Sequence, residues 1–162
     1  MSNFQKNVFI REANSDGISE ILKIHRRCVR EVNSQFYKKD VIQEWLGQIT
    51  PQNIKEQFQN SQWYVIGIKK EIIGFCQFSI EEGSLFQINI SPEWQNKGYG
   101  KLLYDFIEKQ FIKNGKNKIS LNATLNAENF YQKLGFNQQA EIKFKLDKTF
   151  VEMIKMEKEF VM

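Results

Sequence analysis

The sequence predicts an α/β protein built on a mixed, twisted sheet of about six to seven strands flanked by helices. Three observations carry that expectation. Apolar, alternating runs at 63–68, 72–80 and 85–90 follow one another with short polar turns between them, the pattern of consecutive antiparallel strands. The third run passes through Ser91-Pro92 and a glycine loop into a helical pattern, in which Leu102, Leu103, Phe106, Ile107 and Phe111 recur at three- and four-residue steps. A further strand pattern at 118–122 follows that helix, and a helical crossover returns the chain parallel to the strand it left.

Each element has a local cause. Asn7 to Arg11 reads as a first strand. Ser15-Asp16 caps a helix whose apolar face carries Ile18, Ile21, Leu22, Ile24, Cys28 and Val32. A second helical piece runs from Asp40 to Leu46 and ends at Gly47; a third follows Pro51, a favoured first-turn residue. Lys69-Lys70-Glu71 and Glu81-Glu82-Gly83 turn the strands. The helix from Tyr99 stops at Asn114-Gly115, a C-terminal cap signal. Asn126 caps a short helix through Leu134, ended by Gly135, and the tail is β-like over 136–145 and 150–156. No repeat, linker or low-complexity stretch divides the chain, so residues 1–162 are expected to form a single domain.

Composition narrows the function classes. A chain of 162 residues with 41% hydrophobic and 26% charged residues has enough apolar material for a core. No apolar run approaches a membrane span, and the opening Met1-Ser2-Asn3-Phe4-Gln5-Lys6 lacks the hydrophobic centre of a secretion signal. The net charge of +4 permits an acidic partner, but Lys and Arg alternate with Asp and Glu, as in Lys155-Met156-Glu157-Lys158-Glu159. A nucleic-acid binder would show a basic stripe of one sign, so none is expected to bind. Cys28 and Cys76 make no disulfide framework, which favours a reducing cytoplasm. One His and two scattered Cys make no metal site.

The glycine loop is the chemical centre of the sequence. Gly98 and Gly100 allow positive φ and close approach of a ligand to the backbone. Successive N–H groups opening a helix form a cradle for anions, which suits the phosphates of a cofactor.

Two segments carry a family resemblance. Ile90-Ser91-Pro92-Glu93-Trp94-Gln95-Asn96-Lys97-Gly98-Tyr99-Gly100 resembles the acetyl-CoA pyrophosphate motif of the GNAT superfamily, (Arg/Gln)-x-x-Gly-x-(Gly/Ala). Asn126-Ala127-Glu128-Asn129-Phe130-Tyr131-Gln132-Lys133-Leu134-Gly135-Phe136 resembles its second hallmark, Asn-Ala-x-x-Phe-Tyr-x-x-x-Gly-Phe. The order of elements agrees over almost the whole chain. The resemblance implies an N-acetyltransferase that moves an acetyl group from acetyl-CoA to a primary amine by direct attack in a ternary complex. It implies a splay between the fourth and fifth strands, with the pantetheine arm pairing to the backbone of Ile88, Asn89 and Ile90. Main-chain N–H groups of Gln95, Asn96, Lys97, Gly98, Tyr99, Gly100 and Lys101 would hold the pyrophosphate, with charge added by Lys97 and Lys101. Tyr131 takes the position of the family tyrosine that protonates or hydrogen-bonds the leaving sulfur, and the helix start at Asn126 adds favourable dipole potential.

The remaining roles are less defined by the residues. Many relatives carry a Glu at the start of the pre-loop strand, where this chain has Ser84. Glu82 lies two residues earlier and would share a face with Ser84 in an unbroken strand. The general base is therefore Glu82, His25 or a chain of waters. Tyr37 and Trp45 are the aromatic candidates for the acceptor side, where cation–π attraction grips amines. Nothing selects one small-molecule or peptide amine, and a homodimer is compatible with the fold. The alternative is a non-catalytic acyl-CoA sensor or interaction module of the same fold. A Rossmann-like nucleotide binder is disfavoured, because three antiparallel strands precede the loop.

Overall fold

The computed structural model describes residues 7–160; the opening segment read above for a secretion signal and residues 161–162 lie outside the described residues. Among the described residues seven strands form one sheet: β1 (Val8–Glu12), β2 (Gln62–Ile68), β3 (Glu71–Ser79), β4 (Ser84–Ile90), β5 (Lys118–Thr124), β6 (Asn137–Lys145) and β7 (Phe150–Glu159). Their order is β1-β2-β3-β4-β5-β7-β6. All neighbours are antiparallel except β4 and β5, which are joined in parallel through helix α4 (Tyr99–Lys113).

The sheet is mixed for the reason the sequence supplies: short turns give hairpins, and one helical crossover gives a parallel pair. β2 is apolar at consecutive positions because both of its faces are covered. Trp63 and Val65 pack with Phe75 under α1 (Ile18–Glu31) and α3 (Pro51–Phe58). Ile66 joins the opposite core with Leu103, Ile107 and Phe111 of α4. A smaller cluster of Val29, Ile42 and Ile49 seats α2 (Lys39–Gln48) on α1. Each such side chain fully withdrawn from water stabilises the fold by about 1.5–3 kcal/mol.

Three local expectations are corrected. Ser15-Asp16 do not cap the first helix: they lie in a 3₁₀ turn (Ser15–Gly17) that Asn14 caps by accepting from the Asp16 N–H, and α1 follows from Gly17 with no side-chain cap of its own. α2 does not stop before Gly47 but runs through it to Gln48, since packing of Val41 and Ile42 outweighs the roughly 1 kcal/mol cost of a helical glycine. Asn126 is not a helix cap. It lies within a 3₁₀ turn (Leu125–Ala127), and α5 (Glu128–Lys133) begins after it.

The consequential feature is how little β4 and β5 share. They pair at Ser84–Ser120 and Leu85–Leu121, and at no later residue. β4 is held on its other side by β3 as far as Ile90, and β5 by β7 along its whole length. Each strand is thus anchored outward while its inner edge diverges. This is the splay that the resemblance implies.

β3 and β4 also approach closely. A Cβ on Gly74 would stand 2.7 Å from the Asn89 carbonyl oxygen and 2.6 Å from Ile90 Cδ1. Gly74→Val is therefore expected to destabilise the protein by ~1–3 kcal/mol through overpacking, as read by urea unfolding. An unchanged midpoint would show that β4 moves aside freely.

Candidate active site

The splay opens into a cavity of about 830 Å³. Its walls come from the inner edges of β4 and β5, the sheet face beneath α1, α2 and α3, and the start of α5. Of the sequence-predicted residues it brings together His25, Trp45, Glu82, Ile88, Asn89, Asn126 and Tyr131. The glycine loop is a separate group at the end of β4.

Strand geometry decides which β4 groups face the gap. The Ser91 N–H donates to the Ile73 carbonyl at 2.8 Å. Backbone direction alternates along a strand, so Asn89 also turns toward β3, while Ile88 and Ile90 present N–H and C=O to the splay. The Ile90 carbonyl is already engaged: Gln95 Nε2 donates to it at 2.8 Å and the Cys28 thiol at 3.2 Å. Ile88 and the Ile90 N–H are the groups left for an incoming extended ligand.

The loop itself is set by two left-handed residues, Asn96 at φ 61° and Gly98 at φ 94°, the latter opening α4. Its N–H groups at Asn96, Lys97, Gly98, Gly100 and Lys101 have no backbone acceptor among the described residues. The Gln95 N–H instead turns back to Pro92 O at 3.3 Å. Lys97 is exposed, and Lys101 pairs with Asp105 at 2.9 Å. The loop is fastened from α1, where Arg27 bridges Glu93 of the loop at 2.8 Å and Glu31 at 3.0 Å.

Tyr131 is buried, with its ring edge-on to Phe130 and Phe136 at centroid distances of 5.1 and 5.6 Å. Its hydroxyl has no hydrogen-bond partner among the described residues, and burial pushes the phenol above its ordinary value. Nearby, Asn126 Oδ1 is buried and unpartnered. An orphaned acceptor of this kind costs about 1–3 kcal/mol until a donor reaches it.

The other candidates fall in different places. Glu82 is exposed in the β3–β4 turn, where Gly83 at φ 70° breaks the strand, and its N–H donates to Ser79 Oγ at 3.1 Å. It reaches the cavity rim beside Ser84. His25 lines the cavity wall, edge-on to Phe75 at 5.7 Å, and burial pushes its pKa down to about 4. Tyr37 is a clasp: its hydroxyl donates to Glu152 O at 2.6 Å and accepts from the Leu125 N–H at 2.9 Å. It also meets the Trp45 ring edge-on at 5.3 Å. Cys28 and Cys76 are free and buried, and burial raises both thiols, Cys28 to about 12.

Sequence reasoning missed a row of amides across the sheet face. Trp63, Gln77 and Gln87 stand opposite one another in register on β2, β3 and β4. Gln77 Nε2 donates to Ser61 Oγ at 3.1 Å, Gln87 Nε2 to Gln77 Oε1 at 2.9 Å, and Asn89 Nδ2 to Gln87 Oε1 at 2.7 Å. The available signal was a Gln inside each of two apolar strands, an interruption that needs partners when buried.

The acetyltransferase (GNAT) domain family matches residues 33–160. The chain belongs to the GNAT acetyltransferase family. It is 38% identical over 72 residues to the ribosomal protein bS18-alanine N-acetyltransferase of Haemophilus influenzae, covering 42% of this chain and 49% of that one. It is 29% identical over 112 residues to an uncharacterized N-acetyltransferase of Acanthamoeba polyphaga mimivirus, covering 68% of this chain and 27% of the other. The match thus spans about a quarter to a half of these relatives' lengths. The fold is similar to a GCN5-related N-acetyltransferase structure from Rhodopseudomonas palustris, with TM-score 0.89, 13% identity and coverage of 96% and 97% of the two chains. It is also similar to the PaiA N-acetyltransferase of Thermoplasma acidophilum in complex with coenzyme A, with TM-score 0.78, 19% identity and coverage of 94% and 99%. In this GNAT chain the two hallmark segments flank the splay, one at the end of β4 and the other after β5.

His25 makes a testable contribution to acid sensitivity. Its unfolded value of 6.5 exceeds the folded value of about 4, so between these the unfolded chain binds more protons and stability falls as pH drops. Below about 4 the slope from this group vanishes. Urea unfolding between pH 7 and pH 4 should show a shallower decline for His25→Gln than for the native chain; parallel curves would show that His25 is protonated freely in the fold.

Proposed function

We propose that the chain is an acetyl-CoA-dependent N-acetyltransferase acting on a primary amine within a ternary complex. The observation that supports it best is a parallel strand pair open after two residues, with the backbone of Ile88 and the N–H of Ile90 facing the gap beside the orphaned Asn126 oxygen and the Tyr131 hydroxyl. These groups fit a pantetheine arm, which carries amide N–H and C=O groups in an extended chain. The N–H groups of the glycine loop fit a diphosphate. Acetyl-CoA supplies an activated acyl carbon on a sulfur leaving group.

The residues then divide the work. Ile88 and the Ile90 N–H align the acyl donor, and Asn126 Oδ1 accepts one of its amide protons. The amine nitrogen forms the new C–N bond as the C–S bond breaks, and the electron pair leaves with sulfur. Tyr131 gives its proton to that sulfur. Burial keeps the phenol protonated through neutral pH, so the proton is in place before the bond breaks. The nitrogen sheds its surplus proton toward Glu82 at the rim through water, and proton exchange with solvent returns Tyr131 to its starting form.

Tyr131→Phe is expected to lower kcat by roughly 10²–10⁴ while acetyl-CoA affinity stays unchanged, measured by thiol release across an amine panel and by calorimetry with CoA. Undiminished turnover would remove Tyr131 from the reaction. Because the phenol lies above its ordinary value, kcat/KM should rise with pH and show no descending limb below pH of about 10. Gly98→Glu should abolish CoA binding, since it strains the left-handed position and sets a like charge among the phosphate-facing N–H groups; retained affinity would overturn the loop's role. A chain that binds CoA but releases no thiol with any amine would instead be an acyl-CoA sensor.

A further inference from the structure

The amide row has a fixed polarity, and the polarity has a chemical end point. Amide nitrogen and oxygen are interchangeable in shape, but two groups at the β2 end are not interchangeable. The Trp63 indole N–H can only donate, and it donates to Ser61 Oγ at 3.1 Å. The Gln57 carbonyl can only accept, and it takes the Ser61 hydroxyl proton at 2.6 Å. Ser61 Oγ is left with one lone pair and no proton to offer, so Gln77 must present its NH₂ group to it. Gln77 then turns its oxygen to Gln87, which must donate, and Gln87 turns its oxygen to Asn89, which must donate in turn. Each step forces the next. The row ends with Asn89 Oδ1, a carbonyl oxygen with no donor among the described residues, on the cavity wall between the two β4 residues whose backbone faces the splay.

The rest of the wall has the same chemistry. Carboxamides are the most frequent lining side chains, joined by the hydroxyls of Ser84 and Ser120. Of the described lining residues, Glu82 and Lys155 alone carry a formal charge, and they are of opposite sign. A polycation gains nothing from such walls, whereas a neutral acceptor bearing amide groups finds donors and acceptors on every side.

We propose that Asn89 Oδ1 receives an N–H of the attacking amine, and that the pocket selects an uncharged, amide-bearing primary amine, such as a peptide-type α-amine, over a polyamine. This rests on the acetyltransferase reading above. The bond turns the nitrogen lone pair toward the acyl carbon, and Ser61, Gln77 and Gln87 act as positioning residues that hold Asn89 in the productive orientation. Asn89 contributes through its side chain, since its backbone belongs to the β3 ladder.

The test uses alaninamide and spermidine as acceptors with acetyl-CoA at pH 8. The native chain is expected to acetylate alaninamide with the higher kcat/KM. Asn89→Ala should raise the alaninamide KM about tenfold, the effect of one lost hydrogen bond, with the acetyl-CoA KM unchanged. Ser61→Ala frees the row to reverse and should raise the same KM by a smaller factor, while Ser61→Thr, which keeps the hydroxyl, restores it. A merely structural row would shift both KM values together. Preference for spermidine, inertness toward alaninamide, or an unchanged alaninamide KM in both Asn89→Ala and Ser61→Ala overturns the proposal. Failure of the native chain to bind CoA in calorimetry overturns the acetyltransferase reading beneath it instead.

Discussion

A parallel ladder that stops after two residue pairs is the constraint on which the rest of this molecule depends. Backbone N–H and C=O groups withdrawn from water without partners cost about 1–3 kcal/mol each, so strands close on one another unless something holds them apart. Here the holding is done from outside the gap. β3 and β7 saturate the far edges of β4 and β5, which leaves the inner edges to diverge as a consequence of the sheet's own connectivity. The cavity is the space that divergence leaves.

Side chains then brace each of the two strands at the gap's open end. At the glycine-loop end, α1 grips the last carbonyl of β4 with Cys28 while Gln95 reaches back to the same oxygen and Arg27 pairs with Glu93. Across the gap, on the β5 side, Tyr37 ties the Leu125 N–H to the Glu152 carbonyl, bracing the turn after β5 against β7. Glu44 of α2 accepts from the N–H groups of Lys148 and Thr149 and from the Thr149 hydroxyl at 2.7 Å, which holds the β6–β7 hairpin against the helices. Tyr37 is therefore a brace between two backbone segments. An aromatic residue in a polar loop reads as a ligand platform in sequence, and only the partners of its hydroxyl reveal the other role.

Elements were legible where one periodicity dominated. The strands from β2 to β4, the glycine loop and α4 fall where alternation, turn residues and three-to-four spacing put them, because each is decided by neighbours within about ten residues. Asn126 reads as a cap because Asn before a helix is a favoured capping signal, and nothing local shows that its oxygen is instead buried without a donor. Counting along an unbroken strand puts Glu82 and Ser84 on one face, and the left-handed Gly83 between them removes that premise. The amide row was invisible for a different reason. Its members come from the loop before β2 and from three strands, and register across strands, which a single chain does not display, is what joins them.

Burial pushes the site's two titratable rings toward the same condition by opposite routes. It raises the Tyr131 phenol and lowers the His25 imidazole, so both are uncharged at neutral pH. An amine entering such a space is under the same pressure, since desolvation disfavours the ammonium form as it disfavours imidazolium. An α-amine, with an ordinary pKa of about 8, needs little help to shed its proton, whereas a lysine-like amine near 10.4 needs a good deal more. A wall of carboxamides offers no negative charge to hold the proton on, and its oxygens still accept from the neutral N–H. On the proposed reaction, the work of the missing strand-start glutamate is therefore divided: the cavity favours the reactive form of the amine, one well-aimed amide oxygen points it, and Glu82 at the rim takes the surplus proton through water.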